Sequence, residues 1–250
     1  MSIIALASAK GAPGVTTTAV ALGAVWPRRV LVAECDPAGG DLAARFRLPP
    51  EPNLVALGMA ARHGHLTADD VWAHTHQLPR GLEVLTGLRA GDQARGLGRL
   101  WSMLSTALAQ LDAEVLADCG RVTADTSAQG LLRQAELVVL IARPTVEGVL
   151  HVASGLEVLA RMGVAAEVAV VGERPFDRAS VQAALASQGV TAPVRATLAD
   201  DPRGAAMLGG QAGRERWLER ASPLIRSARS FAADLLPRLA PVPDGQEVGA

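Results

Sequence analysis

Short apolar runs alternate with helix-like stretches along nearly the whole chain, and this alternation limits the fold more than any other feature of the sequence. Most of the runs are almost continuously apolar, as expected for parallel strands that are buried on both faces. Such a pattern predicts an α/β fold with a doubly wound, mostly parallel sheet and helices on both faces. The predicted strands are 3–8, 30–34, 82–86, 114–118, 137–142, 167–171 and 194–198. The predicted helices are 15–25, 97–111, 146–162, 178–187 and 223–236.

Length and charge narrow the range of functions. A chain of 250 residues that is 49% hydrophobic can bury one large core, so we predict a single domain over residues 1–240 and a flexible tail over 241–250. The chain has 24 basic and 25 acidic residues, so its net charge is close to zero and gives no overall electrostatic attraction to nucleic acid. Every uninterrupted apolar run is too short for an integral membrane segment. Two cysteines in strand-like runs are typical of reduced thiols, which favours a cytoplasmic protein.

A glycine-rich segment follows the first predicted strand and runs directly into an apolar helix. This order directs backbone N–H groups and the positive end of a helix dipole toward a phosphate group. A hydroxyl at the start of the helix is suited to Mg²⁺. An ordinary glycine-containing turn between a strand and a helix is the alternative interpretation. The candidate cofactor-binding residues of this segment are Lys10, Gly11, Ala12, Pro13, Gly14, Val15, Thr16 and Thr17, with Thr16 also a candidate metal ligand.

The segment lacks the lysine of the usual phosphate-loop pattern G-x-x-x-x-G-K-[ST]. Val15 stands where that pattern has lysine, and valine cannot contact the β- and γ-phosphates. Lys10, at the head of the loop, is the single lysine of the chain, since the other 23 basic residues are arginine. We therefore predict that Lys10 is present for its compact ammonium group.

Two further motifs place carboxylates after predicted strands. Asp36 lies in the segment Glu-Cys-Asp-Pro-Ala-Gly-Gly-Asp after the second strand, and Asp118 precedes Cys119 and Gly120 at the end of the fourth. Carboxyl ends of parallel strands meet at one edge of a sheet, so both acids can reach a hydrated Mg²⁺ or an attacking water there. Taken alone, the first motif is also compatible with a simple Asp-Pro turn.

Together these motifs resemble the ParA/MinD family of ATPases, which carry a deviant Walker A loop. The resemblance covers about the first 240 residues and is most specific in the loop, where retention of Lys10 without a lysine at Val15 is similar to the CpaE/TadZ branch. It implies ATP and Mg²⁺ as cofactors and a homodimer in the ATP state, in which Lys10 reaches the nucleotide of the other subunit. It also implies that Asp36 activates water and approaches the metal, that Asp118 holds the metal, and that Gly120 senses the γ-phosphate.

The function that this resemblance implies is a nucleotide-dependent dimeric switch. Such a protein positions pilus or secretion machinery, or other cargo, through a protein partner, and is recruited from the cytoplasm to a membrane-associated assembly or cell pole. Val15 predicts slow ATP hydrolysis. Two alternatives stay open at this point: a chromosome or plasmid partition ATPase, and a non-hydrolysing pseudo-ATPase scaffold.

Weaker features complete the sequence interpretation. Asp201 and Pro202 resemble the loop beside the nucleotide base in the family, although Asp followed by Pro is equally typical of a capped helix start. Gly172 stands where relatives often have an adenine-recognising asparagine.

Other charged or amphipathic segments favour structural interpretations. The pairs His63/His65 and His74/His76 are more typical of helix-end histidines than of zinc ligands. The mixed-sign run 214–220 is typical of a solvated helix face. The apolar stripe of 223–239 predicts a helix that packs on the sheet rather than on a membrane.

Overall fold

The computed structural model describes residues 2–11, 13–61, 64–78, 81–98, 100–209 and 222–239. Within these residues, eight strands form one sheet in the order β3-β4-β2-β5-β1-β6-β7-β8, and all neighbours are parallel except β3 and β4. The strands are β1 (Ile3–Ser8), β2 (Val30–Glu34), β3 (His76–Gln77), β4 (Glu83–Leu85), β5 (Glu114–Arg121), β6 (Leu137–Ala142), β7 (Glu167–Val171) and β8 (Val194–Leu198).

Helices cover both faces of this sheet, as the alternating sequence pattern predicts. In chain order they are α1 (Val15–Val25), α2 (Leu42–Phe46), α3 (Leu54–Ala60), α4 (Ala68–Ala73), α5 (Gly91–Gly96), α6 (Leu100–Ala109), α7 (Gln129–Gln134), α8 (Val146–Arg161), α9 (Arg178–Ser187), α10 (Pro202–Leu208) and α11 (Pro223–Leu235), followed by a short 3₁₀ turn, Leu236–Arg238.

Two apolar cores lie on opposite faces of the sheet, and β1 contributes to both. Alternate residues of a strand point to opposite faces, so Ile3 packs in the core beneath α6 and α8, whereas Ile4 packs in the core beneath α1 and α11. The β1 strand lies between β5 and β6, which places the loop after it at the centre of the carboxyl edge.

Most predicted boundaries of the longer elements are confirmed. The strands β1, β2, β6, β7 and β8 and the helices α1 and α9 have the predicted bounds. Five predicted elements differ in their bounds: β5 continues three residues to Arg121, the predicted helix 97–111 is shorter, at Leu100–Ala109, β4 loses one residue at each end, and α8 and α11 each end one residue earlier.

No helix is predicted over residues 91–96, yet α5 forms there. The Gln93 side chain accepts hydrogen bonds from the backbone N–H of Arg89 (2.8 Å) and of Ala90 (3.4 Å), which satisfies donors at the start of this short helix. Ala94, within this helix, is buried. Packing and a side-chain cap stabilise a glycine-flanked helix here that sequence periodicity does not reveal.

The C-terminal amphipathic helix packs on the sheet, as predicted. In α11 the residues Leu224, Ala228, Phe231 and Leu235 are buried in the core shared with α1 and β8. No helix in the described part of the chain has both the length and the apolar character needed to cross a bilayer. The run 214–220 and the predicted tail 241–250 lie outside the described residues.

Replacing Phe231 by alanine tests whether α11 is part of the domain core. We expect Phe231→Ala to lower the free energy of unfolding by about 3–5 kcal/mol, since a buried aromatic side chain leaves a cavity. The matched variant is Ser230→Ala on the exposed face of the same helix, with an expected change within about 0.5 kcal/mol. Urea unfolding followed by circular dichroism measures both, and equal small effects would contradict the packing.

Candidate functional site

The loop between β1 and α1 has the backbone of an anion-binding turn. Gly11 and Gly14 have φ angles of +77° and +98°, in the left-handed region that favours glycine. Gly14 directly precedes α1, no side chain caps that end of the helix, and the first turn contains no acidic residue. The first backbone N–H groups of α1 are therefore available to an anion, with the helix dipole adding to their attraction. Pro13 is buried in the loop, and Ala12 lies outside the described residues.

Thr16 and Asp118, predicted from distant motifs, are in direct contact. The Thr16 hydroxyl donates to Asp118 Oδ2 at 2.5 Å, and Asp118 Oδ1 accepts the backbone N–H of Gly120 at 3.0 Å. Asp118 is almost completely buried at the end of β5. The hydroxyl and carboxylate predicted to approach Mg²⁺ thus lie together at the start of α1.

Asp36 joins this group through Gly120. A methyl group on the Gly120 Cα would lie 2.0 Å from Asp36 Cγ, so only glycine leaves room for this carboxylate. Asp36 Oδ1 also accepts the backbone N–H of Ala38 at 2.7 Å, which orients the side chain at the start of its loop. The structure therefore brings Asp36, Asp118, Gly120 and Thr16 together, as the sequence predicts.

The buried carboxylates give the site its electrostatic character. Burial raises the pKa of Asp118 to about 7, with the nearby charges of Glu34 and Asp36 adding to the effect. Burial also raises the pKa of Asp36 and of Glu34. Anionic groups that are poorly solvated favour a cation beside them.

The donor set fits Mg²⁺ of the kind that nucleotide sites hold. Within the described residues no three His, Cys, Asp or Glu side chains form a complete metal-binding group. Mg²⁺ usually keeps several waters and takes one or two carboxylates together with phosphate oxygens, so Thr16, Asp118 and Asp36 suffice for that kind of site.

Lys10 and Val15 occupy opposite environments. Lys10 is exposed at the head of the loop and makes no ion pair or hydrogen bond among the residues that the structure describes. Val15 is only 7% exposed and packs in the core on the α1 face of the sheet. The position that usually carries the phosphate-binding lysine is here part of the core.

The late loop confirms the capped-helix interpretation. Asp201 Oδ1 accepts the backbone N–H of Gly204 at 2.9 Å, and Oδ2 accepts the Ser222 hydroxyl at 2.7 Å. Pro202 is the first residue of α10. Because both Asp201 oxygens are engaged in holding α10 and α11, a contact of Asp201 or Pro202 with a nucleotide base stays a prediction.

Arg45 was not predicted, yet it contacts the phosphate-loop helix. Its guanidinium donates to the Thr17 hydroxyl at 3.2 Å and pairs with Asp41 at 2.7 Å. The spacing of Asp41 and Arg45 by four residues was the available sequence signal, since such pairs face each other on a helix.

The histidine pairs behave as structural residues where they are described. His74 Nδ1 lies 2.7 Å from the Asp70 carbonyl oxygen, and His76 Nε2 lies 2.7 Å from the Pro52 carbonyl oxygen. His63 lies outside the described residues. These bonds engage His74 and His76 with the backbone rather than with each other.

Comparison by sequence identifies one kind of relative. No protein-family model matches the chain. The ESX-1 secretion-associated protein EspI of Mycobacterium tuberculosis is 28% identical over 165 residues, in strains CDC 1551 and H37Rv alike. The matched region covers 64% of this chain and 24% of EspI, so the chain spans about a quarter of the length of that relative.

Comparison by structure shows the fold. A ParA family ATPase from Chlorobium tepidum superposes with a TM-score of 0.75 at 15% identity, over 94% of this chain and 98% of that one. The septum site-determining protein MinD of Pyrococcus horikoshii, complexed with Mg-ADP, superposes with a TM-score of 0.71 at 19% identity, over 94% and 95% of the two chains. Apo McdA of Cyanothece has a TM-score of 0.70 at 18% identity, over 94% and 99%. The chain therefore has the P-loop fold of ParA/MinD ATPases.

Asp118 predicts a specific pH dependence of stability. Its pKa is raised from 3.8 to about 7 in the folded protein, so the unfolded chain loses this proton first and the free energy of unfolding falls as pH rises between those values. We expect Asp118→Asn to be more stable than the parent protein at pH 8, by at most about 4 kcal/mol, with no such gain at pH 4.

Urea titrations at the two pH values without nucleotide or Mg²⁺ measure this difference. Asp125→Asn, at an exposed position after β5, is the control, with little change at either pH. A gain for Asp118→Asn that is the same at pH 4 and pH 8 would contradict the cause assigned to it.

Proposed function

We propose that this chain binds ATP with Mg²⁺ and acts as a nucleotide-dependent dimeric switch that positions cellular machinery. The observation that carries the proposal is the 2.5 Å contact of Thr16 with Asp118 at the uncapped N-terminus of α1. It combines an anion-binding helix start with a hydroxyl and a carboxylate suited to Mg²⁺. The proposed ATP-binding unit is the single domain of residues 1–240, and the proposed location is the cytoplasm.

The residues of the phosphate loop and the strand ends have separate roles in this proposal. The backbone of Gly11, Pro13, Gly14, Val15, Thr16 and Thr17 would hold the phosphates, and Thr16, Asp36 and Asp118 would hold Mg²⁺. Gly120, whose N–H donates to Asp118 in this structure, would respond to the γ-phosphate. When bound, Mg²⁺ neutralises charge on the phosphate oxygens. Asp36 orients a water molecule and accepts its proton, because its carboxylate is held against Gly120 and remains half-buried rather than enclosed.

Val15 makes the proposed ATPase slow. Loss of one well-placed donor at a transferring phosphoryl group typically costs about 10²–10³ in rate. The Val15 side chain carries no charge and packs in the core, so it does not replace the missing donor. A slow enzyme keeps the ATP state long enough for it to serve as a signal.

The surface beside the loop supports a dimer in the ATP state. Lys10 is exposed, and Val146 and Leu150, one turn apart on α8, are 58% and 54% exposed. The helix α8 packs directly on the loop, since a methyl group on Gly155 would lie 2.7 Å from the Ala9 Cβ. We place Lys10 and this exposed apolar patch of Val146 and Leu150 at the proposed interface, where a second copy of the chain would bury the patch while its Lys10 reaches the opposing nucleotide.

The resemblance to the CpaE/TadZ branch and the match to a secretion-associated protein support secretion or pilus machinery as the cargo. The cargo contacts the switch through a protein partner, and recruitment places it at a membrane-associated assembly. The balanced charge of the chain supports a partition function on DNA less well.

One observation favours a second candidate, a pseudo-ATPase scaffold that dimerises without hydrolysis. Val15 removes the charge most directly tied to phosphoryl transfer, and its burial shows that the position has been absorbed into the core. The measured turnover rate and its dependence on Asp36 separate the two functions.

Dimerisation should depend on both Lys10 and the apolar patch. With ATP and Mg²⁺, light scattering is expected to show a dimer for the parent protein and a monomer for Lys10→Ala and for Leu150→Glu, because the first loses a charge contact and the second buries a carboxylate. Met59→Glu is the matched control, since Met59 is also 54% exposed but lies on α3, in a groove with Leu97 and Met103. A dimer that is indifferent to Lys10 and to nucleotide would contradict the proposal.

Turnover should respond to restoration of the missing lysine. We expect Val15→Lys to raise steady-state phosphate release by about tenfold or more, because it returns a charged donor to the phosphates. Adding Asp36→Ala should return the rate to background. Val15→Ala controls for the loss of core packing, and thermal unfolding shows that each variant is folded. Fast turnover in the parent protein, unaffected by Asp36→Ala, would show that the chemistry belongs to other residues.

A further inference from the structure

Glu34 is a buried carboxylate at the end of β2, and its hydrogen bonds all go to backbone amides of two other segments. It is 2% exposed. Oε1 accepts the N–H of Asp41 at 2.7 Å and of Leu42 at 3.0 Å, and Oε2 accepts the N–H of Gly87 at 2.9 Å. One side chain thereby joins the end of β2, the start of α2 and the segment after β4.

The surrounding backbone is shaped around this carboxylate. A methyl group on Gly40 would lie 2.0 Å from Glu34 Cδ, and one on Gly87 would lie 2.7 Å from the Glu34 carbonyl oxygen. Gly40 also donates its N–H to the Leu88 carbonyl oxygen at 2.7 Å. Two glycines therefore let the chain pack closely against Glu34 from both sides. A side chain of another length at position 34 would not fill the space between them.

The segment closed over Glu34 is the one that carries Asp36. Residues 35–41 begin at the Cys35 N–H, which donates to the Asp118 carbonyl oxygen at 2.7 Å, and end at the amides that Glu34 holds. Beyond that end, α2 presents Arg45 to the Thr17 hydroxyl. Glu34 thus holds the far end of a short segment whose near end holds the Asp36 carboxylate against Gly120.

We propose that Glu34 is the positioning residue of the site: its carboxylate holds residues 36–41 against the segment after β4 and so keeps Asp36 against Gly120. Glu34 does not contact the nucleotide, and it acts through its reach rather than through its charge. The expected effect of Glu34 on hydrolysis rests on the proposed function. Its expected effect on the backbone does not depend on nucleotide.

If Glu34 acts through its length, two substitutions should have effects opposite to those expected if it acts through its charge. Glu34→Asp keeps the charge but is one methylene shorter, so it cannot keep bonds to both Leu42 and Gly87. Glu34→Gln keeps the length, and its amide oxygen still accepts from Asp41 and Leu42, the two bonds that hold the end of the segment, while only the bond from the Gly87 N–H is lost because the glutamine NH2 group cannot accept it. We therefore expect Glu34→Gln to preserve the segment and Glu34→Asp to resemble Glu34→Ala.

Hydrogen exchange of the nucleotide-free protein tests the backbone effect. The amides of Ala38, Asp41 and Leu42 should exchange about tenfold faster or more in Glu34→Ala and Glu34→Asp, and within about threefold of the parent rate in Glu34→Gln. Ala38 is included because its N–H is bonded to Asp36 and reports the position of that side chain.

Glu114→Gln is the matched control for exchange. Glu114 is a carboxylate on β5 with 1% exposure, and it contacts Arg28 and Trp26, away from the loop. Glu114→Gln therefore shows how a general loss of stability affects exchange. We expect it to leave the exchange rates of these three amides unchanged. Protection that survives in Glu34→Asp and is lost in Glu34→Gln would overturn the proposal in favour of charge.

Single-turnover hydrolysis and nucleotide affinity test the effect on the site. For Glu34→Ala we expect the affinity for a fluorescent ATP analogue with Mg²⁺ to stay within about threefold, because the phosphate loop is intact, and the hydrolysis rate to fall at least tenfold. Glu34→Gln should recover most of that rate and Glu34→Asp should not. Unchanged hydrolysis in Glu34→Ala would overturn the role assigned to Glu34, whereas an absence of ATP binding in the parent protein would overturn the proposed function and leave the exchange result to decide the backbone effect.

Discussion

The site depends on carboxylates that the fold buries away from solvent. Glu34 and Asp118 are register partners on neighbouring parallel strands, and both are almost fully buried. Burial of an anion is unfavourable unless donors surround it. Glu34 is compensated by three backbone amides, and Asp118 by one amide and the Thr16 hydroxyl. The loops at this edge of the sheet are arranged to supply those donors, which is why they are short, glycine-rich and closely packed.

Glycine provides the space for this arrangement at several points. Gly120 leaves room for the Asp36 carboxylate, and Gly40 leaves room for Glu34. In the phosphate loop, Gly14 adopts a left-handed conformation that turns the chain directly into α1 without a side-chain cap. The same edge therefore combines buried anions with a helix start that attracts anions. The buried carboxylates favour a cation, whereas the helix start favours an anion. A cation bound together with an anionic phosphate satisfies both, and this supports the proposed pairing of Mg²⁺ with a nucleotide.

The pattern of charge around the loop distinguishes this chain from the usual phosphate-loop arrangement. The position normally held by lysine belongs to the apolar core, while the single lysine of the chain is exposed at the head of the loop. In the proposed dimer, this exposed lysine serves the nucleotide of the second subunit rather than that of its own. This distribution supports the proposed assembly controlled by nucleotide rather than rapid turnover, and it also fits the scaffold alternative.

The sequence by itself determined the sheet, the long helices and the phosphate loop, because apolar periodicity and glycine punctuation are local signals. It also identified Thr16, Asp36, Asp118 and Gly120, since the carboxyl ends of parallel strands meet at one edge. It did not reveal α5, whose formation depends on the Gln93 cap and burial of Ala94, or the contact of Arg45 with Thr17. Above all, it did not reveal what Glu34 does. Only the tertiary structure decided that, because the amides of Asp41, Leu42 and Gly87 approach one carboxylate only after separate loops have packed together.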